Sequence, residues 1–222
     1  MAANGAAKDL EIMLEIHEIP VTPFMQNCTL LVCSETQEAA VCDCGDAGPV
    51  LQKIEQLGVN VTKVIATHGH LDHIGGTADL MKALQIPFWF PRGDDFLREG
   101  LVEQARMYGF PPVQVPKVDV DITPGMDLTI GNCKLEVLPC PGHTPGHVVF
   151  YDSVDHQMIA GDVLFQGSVG RTDFPFSNPD DLVHSIQTQI YTLEPETVVH
   201  CGHGPTTTIG VEARTNPFVR AK

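Results

Sequence analysis

Apolar and polar residues alternate between Ile19 and Asp46, around Cys28-Thr29-Leu30-Leu31-Val32 and Ala39-Ala40-Val41, with polar breaks that read as turns between paired strands. The period then lengthens. Asp46 caps a helix with Pro49 in its first turn, Val50, Leu51, Ile54 and Leu57 share one face, and Gly58 ends it. A strand over residues 61–66, a helix over 77–85 and a strand over 86–90 make a β-α-β unit that Pro91 stops. Residues 92–125 offer a short polar helix and then Pro111, Pro112 and Pro116, which reads as a surface connection bordering a site. Alternation resumes from Leu128 through 133–137, 148–151 and 158–160, an antiparallel set turning at Gly131-Asn132 and at 152–156. A last helix over 180–193 enters through Asn178-Pro179 with Leu182, Ile186 and Ile190 on one stripe, and Val198-Val199 is the final strand. This order predicts a mixed sheet layered between helices in one domain, residues 1–222, with 1–10 flexible.

The chain has 222 residues, 43 % apolar and 18 % charged, so it is large enough to bury about 70 % of the surface its unfolded form exposes. Thirteen Lys and Arg against 28 Asp and Glu give a net charge of −15, which repels a phosphate backbone or an anionic leaflet and argues against nucleic acid as a partner. No apolar stretch reaches the length of a signal peptide core or a membrane span, so no membrane association is expected and the cytoplasm is the expected compartment. Seven cysteines, an odd number in a chain that needs no staples, suit a reducing compartment and read as buried or idle thiols.

The chemistry concentrates after the strand that ends at Ala66. Three of the ten histidines and one aspartate fall in His68-Gly69-His70-Leu71-Asp72-His73, a density that suits ligation of zinc, iron or manganese from a turn. Gly69, Gly75 and Gly76 are expected to supply turn conformations there. Three further segments place candidate ligands at strand ends beside glycine: Gly142-His143-Thr144-Pro145-Gly146-His147, Gly161-Asp162 and Cys201-Gly202-His203-Gly204-Pro205. His17, His156, His184 and His200 have no such support and read as surface or packing histidines.

In this order, H-x-H-x-D-H, G-H-T-P-G-H, an isolated G-D and a terminal G-H-G-P resemble the metallo-β-lactamase superfamily over residues 19–217. The resemblance implies an α+β fold, a four-layer αββα sandwich with metals at one edge. It implies one ion on His68, His70 and His143, a second on Asp72, His73 and His203, and Asp162 bridging them, with His147 outside the ligand set in an orienting role. Two divalent ions, most simply zinc with iron or manganese as alternatives, less two carboxylates and a bridging hydroxide leave a formal charge of about +1 that attracts an anion.

Gly161-Asp162-Val163-Leu164-Phe165, then Gly170-Arg171-Thr172-Asp173-Phe174-Pro175, resemble the short glyoxalase II-like branch, without the C-terminal helical domain of the longer enzymes. That branch implies a hydroxyacylglutathione hydrolase, with a small thioester of the S-lactoylglutathione type cleaved by a metal-bridging hydroxide and with Asp72 and Asp162 catalytic. A thiol leaves without a proton donor, which favours thioesters over amides. Arg171 is a candidate for a substrate carboxylate, with a salt bridge to Asp173 as the plain alternative. Two rival readings remain within the superfamily: a persulfide dioxygenase with one iron on His68, His143 and Asp162, or a lactonase or β-lactamase. Cys201, two residues from His203, reads as a small packing residue rather than a soft ligand.

Overall fold

The computed structural model describes residues 12–221. The first sheet begins with a meander of β1 (Leu14–Val21), β2 (Gln26–Cys33) and β3 (Glu38–Cys42), antiparallel throughout. Helix α1 (Ala47–Leu57) then crosses over to β4 (Asn60–Ile65), which pairs parallel with β3. The local chemistry of α1 is as expected: Asp46 accepts from the Gly48 amide at 2.9 Å, and Gly58 closes the helix in the left-handed conformation at φ 68°. Next come α2 (Leu71–Ile74), α3 (Thr77–Leu84) and β5 (Phe88–Phe90), followed by a 3₁₀ turn (Arg92–Asp94), α4 (Asp95–Glu99), α5 (Leu101–Tyr108) and β6 (Val120–Asp121). Strands β4, β5 and β6 are parallel.

The second sheet runs through β7 (Asp127–Ile130), β8 (Cys133–Pro139), β9 (Val148–Asp152) and β10 (Gln157–Gly161), each antiparallel to the last. A small ribbon, β11 (Leu164–Phe165) with β12 (Ser168–Val169), leads to α6 (Pro179–Ser185) and a π-helical turn (Ile186–Ile190). Then β13 (Val198–Cys201) pairs parallel with β10, and β14 (Thr207–Thr208) and α7 (Ile209–Thr215) follow.

Three apolar clusters define the layers. Leu30, Val32 and Val41 of the first sheet pack under α1, α3 and α5 with Val50, Ile54, Leu80 and Leu101. The alternate residues Leu14, Leu31 and Ile65 face the second sheet and meet Leu128, Leu135, Val137 and Phe150 between the sheets. On the far side Val149, Tyr151 and Met158 pack on Leu182, Ile186 and Ile190. This is an αββα sandwich. All eight residues of β2 are buried, as a central strand covered on both faces must be.

The structure corrects several expectations. The mixed sheet is two sheets of six strands, and β1 starts at Leu14, ahead of Ile19. Residues 92–125 contain two helices and a strand, not one helix in a connection, and α7 follows the strand expected to be last. The helix over 180–193 is α-helical to Ser185 and then widens into the π turn, its Leu182, Ile186 and Ile190 stripe still buried. All seven cysteines are buried and free. No described helix is long and apolar enough to cross a membrane. The segment 1–10 lies outside the described residues.

Candidate metal centre

Both sheets end their ligand-bearing strands at the same edge. β4 leads into Thr67-His68, β8 into the loop holding His143 and His147, β10 into Asp162, and β13 into His203. Two backbone hydrogen bonds lock the sheets together there: the Val148 amide donates to Thr67 O at 3.0 Å, and the Asn27 amide to Gly202 O at 2.8 Å. The expected turn is partly helical, because Asp72 and His73 lie on α2. None of Gly69, Gly75 and Gly76 has a positive φ, so turn conformation is not their use. They allow close approach instead: a Cβ on Gly76 would sit 2.6 Å from the Ala47 nitrogen. Gly202 is needed in the same way, since a Cβ there would lie 2.2 Å from Asp162 Oδ1.

The six outer candidates fall into two groups of three, His68/His70/His143 and Asp72/His73/His203, each with ligand atoms within 4.8 Å of one another. In the first, His70 Nδ1 is 3.0 Å from both His68 Nε2 and His143 Nε2. In the second, His203 Nε2 is 3.2 Å from Asp72 Oδ2. Asp162 stands between them, with Oδ1 3.3 Å from His73 Nε2 and Oδ2 3.6 Å from both His143 Nε2 and His203 Nε2.

The outer hydrogen bonds decide which nitrogens face inward. His143 Nδ1 donates to Arg171 O at 2.7 Å, His203 Nδ1 to Phe24 O at 3.1 Å, and His73 Nδ1 to Asp43 Oδ2 at 2.9 Å. Thr67 Oγ1 gives its proton to Asp43 Oδ2 and so accepts from His68 Nδ1 at 3.0 Å. With Nδ1 protonated in all four rings, each Nε2 presents a lone pair to the centre. His147 differs: its Nε2 accepts the Asp162 amide at 3.1 Å, and its ring stacks on His68 at 4.7 Å. Its acceptor nitrogen is spent on holding Asp162, so it stands outside the ligand set.

Charges follow from the packing. Burial and the surrounding imidazoles hold His68 well below the usual histidine range, and burial with His143 takes His70 down to about 3. Burial opposes ionisation of Asp162 and Asp72, yet the histidines facing them, His73 foremost, keep both carboxyls below the usual range. His73 is raised, against its burial, by Asp162, Asp72 and Asp43.

These residues fit metal ions. His73 Nε2 and Asp162 Oδ1 are buried and face each other at 3.3 Å with no other hydrogen-bond partner, a costly state for two polar atoms that a cation between them relieves. The donor set of imidazoles and carboxylates suits zinc, iron or manganese. A third cluster, Asp43/His68/His73, is of another kind, because the Asp43 oxygens already accept from Thr67 N, Thr67 Oγ1 and His73 Nδ1. It is the support behind the ligands.

Two supports carried no sequence signal as such. Asp43 follows β3 at φ 59° and reads in the sequence only as the spacer between two cysteines. Asp94 is fully buried, accepts from Gly69 N at 3.1 Å, Thr144 Oγ1 at 2.6 Å and Gly146 N at 2.7 Å, and so staples the His68–His70 loop to the His143 loop. It lies in the segment read as a connection. Arg171 makes the bidentate pair with Asp173, at 2.9 and 2.7 Å. His200 bonds Glu18 and Gln157, away from the ligands. Cys201 is buried in the outer cluster of the second sheet, and burial pushes its thiol up to about 12.

Residues 21–203 match the family model of the metallo-beta-lactamase superfamily. The chain belongs to that superfamily. Within this superfamily it is 39 % identical over 211 residues to the Haemophilus influenzae hydroxyacylglutathione hydrolase GloC, covering 94 % of this chain and 100 % of that one. Among solved structures it resembles TTHA1623 in a di-iron-bound form, at 38 % identity and a TM-score of 0.83, covering 91 % of this chain and 100 % of that one. It also resembles the BLEG-1 B3 metallo-beta-lactamase, at 33 % identity and a TM-score of 0.85, covering 92 % and 99 %.

Proposed function

We propose that the protein hydrolyses thioesters of the S-2-hydroxyacylglutathione type with two divalent ions, zinc in the simplest case, held by the two groups of three and shared through Asp162. The observation that carries this is the position of Asp162, one carboxylate within 3.6 Å of ligand nitrogens of both groups. The similarity to a relative named hydroxyacylglutathione hydrolase supports the substrate class. Bound there, such ions lower the pKa of water from 15.7 to about 7 and polarise a carbonyl oxygen.

The chain's own part is positional. His147 accepts the Asp162 backbone amide and Gly202 N donates to Gly161 O, which together position the Asp162 side chain, while Asp43 holds His73 and Asp94 the loop between His68 and His70. Asp72, a member of the second group of three, also lines the cavity, where its carboxylate would receive the proton of the attacking water. Cleavage of the C–S bond then releases a thiolate, whose conjugate acid has a pKa of about 8.5, so no proton donor has to be aimed at the leaving group.

The test is thiol release from S-lactoylglutathione by protein stripped with a chelator and reloaded with zinc, iron or manganese. Release should vanish on stripping, return with metal, and fall by about three orders of magnitude in Asp162→Ala. If no metal restores it, while iron-loaded protein consumes oxygen with glutathione persulfide, the hydrolase reading falls and a mononuclear iron site takes its place.

A further inference from the structure

A cavity of about 720 Å³ opens directly onto His70, Asp72, His143, Asp162 and His203. Its walls come from α4 and α5 on one side, from Phe174, Pro175 and Phe176 on another, and from Phe24 on a third. Of the fourteen large apolar side chains exposed among the described residues, five line this one cavity: Phe24, Phe96, Met107, Tyr108 and Phe176. Scattered exposure needs no explanation, but concentration at the mouth of a reactive site does. The rings also bridge the walls, Phe96 to Phe176 at 5.0 Å and Phe24 to Tyr108 at 5.8 Å, both edge-on. Phe174 brings the apolar surface to the ligands themselves, 5.1 Å from His70 and 5.9 Å from His143.

The polar side chains of the cavity wall beyond the metal centre are already engaged. Arg171 is the only Lys or Arg among the described residues lining it, and its guanidinium is paired with Asp173 and lies over the Phe174 ring at 4.5 Å. Exchanging Asp173 for a substrate carboxylate would replace one such pair by another and leave Asp173 unpaired. Glu103 is paired with Arg106, and Gln104 spends its amide on Leu71 N and Leu97 O. Glutathione has two carboxylates, and among the described residues the cavity wall beyond the metal centre has no uncommitted cationic side chain for either.

We propose that the site selects substrates by an apolar, ring-sized group beside the scissile carbonyl, and that the charged ends of a glutathione carrier remain in solvent. The preferred substrates are therefore thioesters with an aromatic acyl or an uncharged apolar thiol. This rests on the hydrolase reading above and refines it.

Two kinetic arms test it on metal-loaded protein. With glutathione kept and lactoyl replaced by mandeloyl, kcat/KM rises roughly 10–100-fold, the effect of burying a phenyl ring. With lactoyl kept and glutathione replaced by N-acetylcysteamine, kcat/KM changes by less than about fivefold, the most that an exposed ion pair contributes. A mandeloyl thioester no better than the lactoyl one, or a larger loss without glutathione, overturns the proposal and leaves the hydrolase reading standing. In the double variant Phe96→Ser, Phe176→Ser the mandeloyl-to-lactoyl ratio falls about tenfold if the walls read the ring. An unchanged ratio overturns it. Should the protein cleave neither thioester, the hydrolase reading fails and calorimetry decides the cavity. Benzyl methyl sulfide should bind more tightly than S-methylglutathione and lose that advantage in the double variant, whereas no binding of the sulfide overturns the proposal.

Discussion

The two ligand groups are built on unequal foundations. His68, His70 and His143 come from two loops that Asp94 ties together through three hydrogen bonds; His68 is fully buried and His143 is 3 % exposed. In the other group Asp72 and His73 are neighbours on a four-residue helix, and His203 is 28 % exposed in its side chain and anchored through Nδ1 to the carbonyl of Phe24. Phe24 sits in a surface turn whose Thr22 and Met25 both adopt positive φ. One group is thus over-determined from within the sandwich, while the other rests one of its three legs on the periphery. With Asp162 beside both groups, the inner one adds only imidazoles, whereas Asp72 would neutralise more of a bound dication's charge in the outer one. On the two-ion reading, the inner group is therefore expected to be the tighter, more electrophilic position and the outer group the one that exchanges.

The largest effect should come from the residue common to both. Asp162→Ala removes the carboxylate beside both groups, and the loss of charge stabilisation, several kcal/mol, should lower the proposed thioester turnover by about three orders of magnitude. Elemental analysis should show fewer ions per chain, and two ions retained at full affinity would break the shared-carboxylate picture. Next, His203→Ala should lose one ion and keep the other through gel filtration, whereas His143→Ala should weaken the inner ion. Equal retention in the two variants would erase the difference between the groups. Asp94→Asn keeps one acceptor oxygen but turns the other into a donor facing the amide hydrogen of Gly69 or of Gly146. Its expected cost is about 10–100-fold in affinity of the inner ion alone, with about 1–3 kcal/mol of stability from the unsatisfied groups, measured by competition with a chromophoric chelator and by urea unfolding. A loss shared by both ions would show that Asp94 holds the fold in general rather than that group.

What was legible before the structure was what local pattern dictates. Helix α1 carries its cap, its apolar face and its closing glycine within a dozen residues, so its limits were readable. The candidate ligand histidines that the fold brings together were readable because they cluster in short glycine-flanked motifs. The stacking of two sheets was hidden by the very burial that creates it: β2 is covered on both faces, so no alternation says which of Leu30 and Leu31 faces a helix and which a second sheet. Asp94 was hidden for a different reason. Its importance depends on where a 3₁₀ turn lands against two distant loops, 25 and 50 residues away, and no spacing in the chain records that.

The smallest expected effect concerns Cys201, two positions from His203 and the residue at which a soft ligand would most change the account of the outer group. Its Sγ lies under the outer helices, 3.7 Å from Val199 O, in the cluster with Leu182, Ile186 and Ile209, and burial keeps it a thiol. Among the described residues no group of metal-ligating atoms includes a cysteine. Cys201→Ala should then act only through packing, costing about 1 kcal/mol for the lost sulfur, or about 2–4 °C in Tm for a chain of this size. Ion content and the order of ion release on chelation should be unchanged. A variant that kept its Tm and lost the outer ion would place the sulfur among the ligands. The exposed leg of the outer group would then gain an anchor inside the sandwich, and the contrast between the two groups would shrink to one of charge.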